Sequence, residues 1–293
     1  MNTYTKKISP EQANKIKQML NQDNAVFDTV QYSQWRAKTS LYQIIYYTSG
    51  KILIQGKEIS EISQKVDNVL GIKTEPSSPN NLVCTSEPHI GTDESGKGDF
   101  FGPLIVASVL VNDDNRQKFI DLGIKDSKKL TDTKIVELAA KIKANSIHSV
   151  VVMTPLKYNE LYAKFNNLNK LLAWGHARAI ENILEKTTCK YALADKFGDE
   201  SLIQNALMKN GKTIKLEQMV RAESDIAVAS ASVLARAEFV RRMNDMSLKY
   251  ENDFPKGVSE KVLFSARTFI DKYGYERLNE VAKMHFKTAK ELK

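Results

Sequence analysis

The stretch "GTDESGKGDFFGPLIVASVLV" spans Gly91–Val111. Two carboxylates stand side by side at Asp93 and Glu94. A glycine-flanked lysine, Gly96-Lys97-Gly98, comes next, and then an apolar run over 103–111 that suits a buried strand. Acids that precede or open a buried strand need a reason, because burying charge without compensation is costly. Successive strand residues point to opposite faces, so Asp93 and Glu94 can reach one site only if the chain bends there; Gly91, Gly96 and Gly98 permit such a bend. Glycines also let backbone amides approach a sugar-phosphate chain, and Lys97 can neutralise a phosphate. Alone, Gly-Lys-Gly is a weak motif and reads first as a turn; beside an acidic pair it becomes informative.

Outward from this stretch the chain alternates. A short helix is expected near 115–121, a helix over 132–144 and a strand over 147–154. A helix over about 170–186, the strand "KYALAD" at 190–195, a helix over 200–209 and the strand "TIKLEQMV" at 213–220 follow, with long helices from 224 onward. Alternation of this kind predicts an α/β sheet with helices on its faces. Two further acids fall at element ends: Asp195 closes "KYALAD", and Asp225 opens "ESDIAVASASVLARAEF". Ligands of open α/β sheets bind where strand ends gather. Carboxylates converging there raise one another's pKa, which a divalent cation relieves. Hard oxygen donors suit Mg²⁺ or Mn²⁺, and two such ions ~3.5–4 Å apart would serve phosphodiester hydrolysis. On the residues alone, Asp225 reads first as a helix N-terminal acid, and Asp195 equally as a strand-end turn residue.

The N-terminal part reads differently. "SPEQANKIKQMLNQ" offers Ser9 as N-cap, Pro10 at the first helical position and Ile16, Met19 and Leu20 on one face. "SLYQIIYYTSGKILIQGKEI" reads as two strands around Ser49-Gly50, and "SEISQKVDNVL" as a second helix. Residues 1–68 carry nine Lys/Arg against six Asp/Glu. Trp35, Tyr42, Tyr46 and Tyr47 are either strand core or a nucleic-acid-binding sheet surface. Pro76, Pro79 and Pro88, among Ser, Thr and Asn, mark a linker between this segment and the larger one.

Composition sets the remaining bounds. At 293 residues with a net charge of +8, the chain favours a polyanionic partner, nucleic acid first. Two separated cysteines, Cys84 and Cys189, make neither a disulfide framework nor a zinc site. Four histidines do not suggest a His-rich metal site, so oxygen ligands are expected. No signal core and no apolar run of ~18 residues are present, so a soluble, cytoplasmic protein is expected, with no membrane partner.

The segment "GTDESGKGDFFGPL" resembles the signature of the type 2 ribonucleases H, in the form carried by ribonuclease HIII. "DSKKL" at 126–130, "YALADKF" at 191–197, "AESDIAVASASVLARAEF" at 222–239 and "AKMHFKT" at 282–288 resemble that family's further motifs, in order, over roughly 88–293. "SGKILIQGK" at 49–57 resembles its small N-terminal domain.

The resemblance implies a ribonuclease H-like mixed sheet flanked by helices over 88–293. It also implies a small α+β substrate-binding domain over 1–70, similar to the TATA-box-binding protein fold, and a linker over 71–87. It implies a metal-dependent endoribonuclease (EC 3.1.26.4) that cuts the RNA strand of RNA–DNA hybrids in replication and repair. Its catalysis would use two ions, Mg²⁺ or Mn²⁺, and leave 3′-hydroxyl and 5′-phosphate ends. The four family acids fall on Asp93, Glu94, Asp195 and Asp225, with Glu223 two residues from the last. Ser95, Gly96, Lys97, Gly98, Ser127, Lys128 and Lys129 would contact substrate. A monomer without an obligate protein partner is expected. The Gly-Lys-Gly form and the N-terminal domain argue against incision at single ribonucleotides in duplex DNA, the related ribonuclease HII-like activity.

Overall fold

The computed structural model describes residues 2–22, 25–56, 59–70, 87–124, 130–220 and 222–292. The chain divides into two compact units, Met1–Asn81 and Leu82–Lys293. The expected linker, 71–87, lies outside the described residues apart from Glu87.

In the first unit, five strands form one antiparallel sheet: β1 (Asn2–Lys7), β2 (Val26–Asp28), β3 (Ser33–Lys38), β4 (Tyr42–Tyr47) and β5 (Lys51–Gly56), in the order β1-β5-β4-β3-β2. Helices α1 (Pro10–Gln22) and α2 (Ser60–Val69) complete it. The cap of α1 is reciprocal: Gln12 N–H donates to Ser9 Oγ (3.2 Å), and Ser9 N–H donates to Gln12 Oε1 (2.9 Å). Alternation along β4 sends Ile44 and Tyr46 into a core with Trp35, Ile52, Ile54, Ile16 and Val66. Trp35 and Tyr46 are therefore core, their rings 5.8 Å apart. The sequence expectations contain neither β1 nor β3, whose polar residues interrupt the apolar pattern.

The second unit is built on a mixed sheet. Its strands are β6 (His89–Ser95), β7 (Leu104–Val111), β8 (His148–Met153), β9 (Tyr191–Asp195) and β10 (Lys215–Met219), in the order β10-β9-β6-β7-β8. β10, β9 and β6 run parallel, whereas β7 is antiparallel to both β6 and β8. All eight residues of β7 are buried, as its unbroken apolar run predicts for a central strand covered on both faces. Asp93 and Glu94 do not open β7; they sit inside the preceding strand, β6.

The helices of this unit are α3 (Asp113–Asp121), α4 (Asp132–Asn145), α5 (Pro155–Phe165), α6 (Leu168–Leu184), α7 (Glu200–Ala206), α8 (Ile226–Tyr250), α9 (Glu260–Tyr273) and α10 (Lys287–Glu291). The sequence expectations contain no helix between 154 and 170, yet α5 forms there. Thr154 Oγ1 accepts from Lys157 N–H (3.4 Å), and Pro155 takes the first helical position. α8 packs along β6 and β7, and its Ala-Ser run brings it very close to the sheet. A Cβ placed on Gly91 would stand 2.1 Å from the Ala227 carbonyl carbon, so only glycine fits there. α6 also packs on β7 and β8, with Gly175 close to Val106.

Candidate active site

Parallel strands β6 and β9 are neighbours, with Thr92 opposite Ala194, so Asp93 and Asp195 finish at the same level. β6 keeps its regular pairing with β7 through both acids, and the backbone turns left-handed only at Gly96 (φ 89°). Alternation is therefore intact. Asp93 hydrogen-bonds Ser232 of α8, and Glu94 meets His176 of α6. Burial raises the Asp93 carboxyl well above the ordinary carboxylate range, and the charges of Glu94 and Asp195 add to this. Its Oδ1 also accepts from the Glu94 N–H (2.8 Å).

Glu94 sits in a network that sequence reasoning missed. His176, fully buried, approaches Glu94 Oε2 with Nε2 (3.1 Å), while its Nδ1 lies 2.9 Å from Thr92 Oγ1. Thr92 Oγ1 donates to the Ala107 carbonyl (2.9 Å) and so ties the network to β7. Phe197 stacks on His176 with ring centroids 5.0 Å apart. Lys97 Nζ lies 3.4 Å from Glu94 Oε1 and 5.7 Å from the Phe197 ring centre. Burial alone would push the Glu94 carboxyl up, but His176 and Lys97 outweigh it and hold it well below its usual range. The expected phosphate-binding lysine is thus also a partner of the neighbouring acid. The only sequence signal for His176 is a histidine inside the apolar helix "LLAWGHARAI".

Asp195 Oδ1 accepts from the Ala222 N–H (3.2 Å), at the start of the 3₁₀ turn Ala222–Ser224. Half-buried Glu223 is the next residue of that turn. Asp225 is not with these acids, which corrects the expectation. It has no exposed surface; both its oxygens lie 3.0 Å from His89 Nε2, and Oδ1 accepts from Ala227 N–H (2.9 Å) and Val228 N–H (3.1 Å). It is the N-cap of α8. His89 opens β6, four residues before Asp93, a separation of roughly 13 Å along a strand. Burial would lower the His89 pKa, but Asp225 outweighs it and the net shift is upward.

β6 ends at Ser95, and the chain then runs through Gly96, Lys97 and Gly98. Gly98 is exposed, and a Cβ there would meet nothing within 4 Å. Ser127, Lys128 and Lys129 lie outside the described residues. As they stand, the carboxylates are turned onto protein partners. Among the described residues, no three His, Cys, Asp or Glu side chains are drawn to one point that could hold an ion. The donor set nonetheless fits a hard divalent cation: Asp93, Glu94 and Asp195 supply oxygen only, and the raised Asp93 pKa marks the crowding a cation relieves.

A mixed sheet with acids at the ends of two parallel neighbours is the layout of a ribonuclease H, a hydrolase. The profile of the family described as Ribonuclease HII matches residues 90–289, and that of a domain of unknown function (DUF3378) matches 4–75. The chain is 38% identical over 281 residues to "Ribonuclease HIII" of Protochlamydia amoebophila, covering 94% of this chain and 92% of that protein. It is also 38% identical over 293 residues to "Ribonuclease HIII" of Chlamydia abortus, covering 97% and 95%. Among solved structures, Bst-RNase HIII in complex with Mn²⁺ superposes with a TM-score of 0.68 at 26% identity, covering 99% of this chain and 98% of that one. Aquifex aeolicus RNase H3 gives 0.57 at 27% identity, covering 96% and 99%. The chain belongs to the ribonuclease HII family, in its ribonuclease HIII branch.

Proposed function

We propose that the protein hydrolyses the RNA strand of RNA–DNA hybrids with the help of two divalent ions, Mg²⁺ or Mn²⁺, leaving 3′-hydroxyl and 5′-phosphate ends. The observation that carries this reading is the meeting of Asp93 and Asp195 at one end of two parallel strands, with Glu94 beside them. Asp93, Glu94 and Asp195 would hold the ions. Bound there, divalent ions supply charge neutralisation for the reacting phosphodiester and lower the pKa of a nearby water. Glu223, rather than Asp225, is the fourth acid in this proposal. It follows the residue whose N–H already holds Asp195 and keeps partial exposure, whereas Asp225 is spent on His89 and the α8 cap.

His176 keeps Glu94 ionised and oriented from one side of the sheet, and Ser232 steadies Asp93 from α8. Lys97 would exchange its contact with Glu94 for a phosphate once an ion takes over the carboxylate. Ser95 and the backbone of Gly96–Gly98 would meet the RNA strand, where the 2′-hydroxyl distinguishes RNA from DNA. Ser127, Lys128 and Lys129 would add phosphate contacts.

The N-terminal unit would bind the hybrid through the sheet face opposite its core. Alternation and register put Lys38, Gln43 and Gln55 in one cross-strand row of that face, and Arg36, Ile45, Leu53 and Thr5 in the next. Gln43 Nε2 donates to Gln55 Oε1 (3.0 Å) within the first row. We read the protein as a cytoplasmic monomer.

The test is cleavage of a uniform RNA–DNA hybrid labelled on the RNA strand, with Mg²⁺, Mn²⁺ or EDTA, and with the product ends mapped. Metal-dependent cutting with 5′-phosphate ends, lost in Asp93→Asn, is expected. Equal cutting by Asp93→Asn, or cutting in EDTA, would overturn the site.

A further inference from the structure

Lys283 is the largest charged side chain with no exposed surface among the described residues. Its Nζ donates to three main-chain carbonyls of one short loop: Asp99 (2.8 Å), Phe101 (3.3 Å) and Gly102 (2.8 Å). An ammonium has three protons and no acceptor, so three carbonyls satisfy it fully. Burial nevertheless draws its pKa down to about 7, with the Asp99 charge opposing. A well-packed apolar residue would fill the same space without that penalty.

The same tail segment grips the loop with its backbone. Lys283 N–H donates to the Phe100 carbonyl (2.9 Å), Gly102 N–H donates to the Val281 carbonyl (2.8 Å), and Phe101 pairs with Ala282 in an antiparallel bridge. The loop is pinned a second time at Gly257, whose N–H donates to Asp99 Oδ1 (2.7 Å) and whose carbonyl accepts from Phe100 N–H (3.1 Å). Asn159 of α5 fixes the tail in turn: its Nδ2 donates to the Ala282 carbonyl (2.9 Å) and its Oδ1 accepts from Met284 N–H (2.9 Å).

The pinned residues, Asp99–Gly102, directly follow Gly96-Lys97-Gly98. The acids lie upstream, held by β7, α6 and α8. We propose that Lys283 is a positioning residue for recognition of the RNA strand, which fixes the backbone of the Gly96–Gly98 loop by gathering the carbonyls at its downstream end. This rests on the reading that the loop meets the RNA strand. Its effect is on substrate affinity and leaves metal binding alone, because no hydrogen bond of Lys283 reaches β6 or β9.

Three proteins test it: wild type, Lys283→Met and Gly98→Ala. Each is assayed for KM and kcat on a uniform RNA–DNA hybrid, for Mn²⁺ binding by calorimetry without substrate, and for thermal unfolding. A methyl group at 98 meets no protein atom, so Gly98→Ala reports on substrate contact alone. Lys283→Met is expected to raise KM about tenfold, with a much smaller change in kcat and an unchanged Mn²⁺ isotherm. A rise in KM for Gly98→Ala but not for Lys283→Met overturns the proposal. No rise in KM for Gly98→Ala overturns the reading beneath it. Weakened Mn²⁺ binding in folded Lys283→Met would show general structural support and also overturn the proposal. If Lys283→Met does not fold, Asn159→Ala loosens the same tail without stranding a charge. It is expected to raise KM about threefold, again with unchanged Mn²⁺ binding; an unchanged KM sinks the proposal by this route.

Discussion

β6 carries a histidine–carboxylate pair near each end, and the two pairs behave differently. At its start, His89 meets Asp225, and neither has any exposed surface. Toward its other end, His176 meets Glu94, whose carboxylate keeps 12% exposure and a second cationic neighbour in Lys97. The first pair is closed: the α8 amides and the imidazole use up the carboxylate. The second is open, with Asp93 and Asp195 beside it. The same pairing of residue types thus serves as a rivet at one end of a strand and, in the proposed site, as a ligand support at the other. Residual exposure and surplus negative charge make the difference.

Mutations can break this contrast. Asp93→Asn and Asp195→Asn should each lower hybrid cleavage by at least about a thousandfold, because each removes a carboxylate proposed to hold an ion. Calorimetry should show an unchanged or raised Tm for Asp93→Asn, since the crowded carboxyl is gone. Asp225→Ala should do the reverse. It strands a buried histidine and removes a helix cap, at a cost of about 3–5 kcal/mol in denaturant unfolding, yet well below its melting temperature kcat should stay within about threefold of wild type. A stable but inactive Asp225→Ala would return Asp225 to the site. Glu223→Gln should cut activity by about ten- to a hundredfold with unchanged Tm, and full activity would remove Glu223 from the proposed acids.

Smaller effects follow from pH. Asp93 has a raised pKa in the folded protein, so its contribution to the stability of the metal-free protein is present at low pH. That contribution is lost as pH rises through the folded value. Mn²⁺ requires the ionised form, so the rise in Tm on adding Mn²⁺ should grow between about pH 6 and about pH 8. A pH-independent rise would contradict the Asp93 assignment. The closed end should show a weaker trend. His89 is raised above its ordinary 6.5, so the stability it contributes is complete below that value and fades as pH climbs through the folded one. Denaturant titrations of wild type and Asp225→Ala should converge as pH rises through that window.

Much of the catalytic sheet was legible in the sequence because its strands are apolar and its helices periodic. Leu104–Val111 is the clearest case. Asp93 and Glu94 stood out because acids beside buried strands are unusual, and Asp195 because it ends one. The placement of Asp225 was not legible. Its partner, His89, is 136 residues away in sequence, and only the approach of α8 to Gly91 brings them together. Glu223 and Asp225 differ by two positions, yet the turn at Ala222–Ser224 brings the Ala222 N–H onto Asp195 while Asp225 caps α8. β1 and β3 escaped because a strand of mixed polarity has no apolar run to reveal it, and β1 lies at the edge of its sheet as well. The role of Lys283 is invisible locally, since a lysine reads as surface until its surroundings are known.

The grip of Lys283 on Asp99 also sets an order of events during synthesis. The two residues are separated by 184 positions, so a ribosome that has already made the acidic pair must add a long further stretch before the lysine exists. β6, β7 and α8 can assemble earlier, but the loop beside them has no anchor from the tail until then. A nascent or truncated chain ending before residue 283 would carry its acids without the brace on that loop, so the brace is added to acids that are already made.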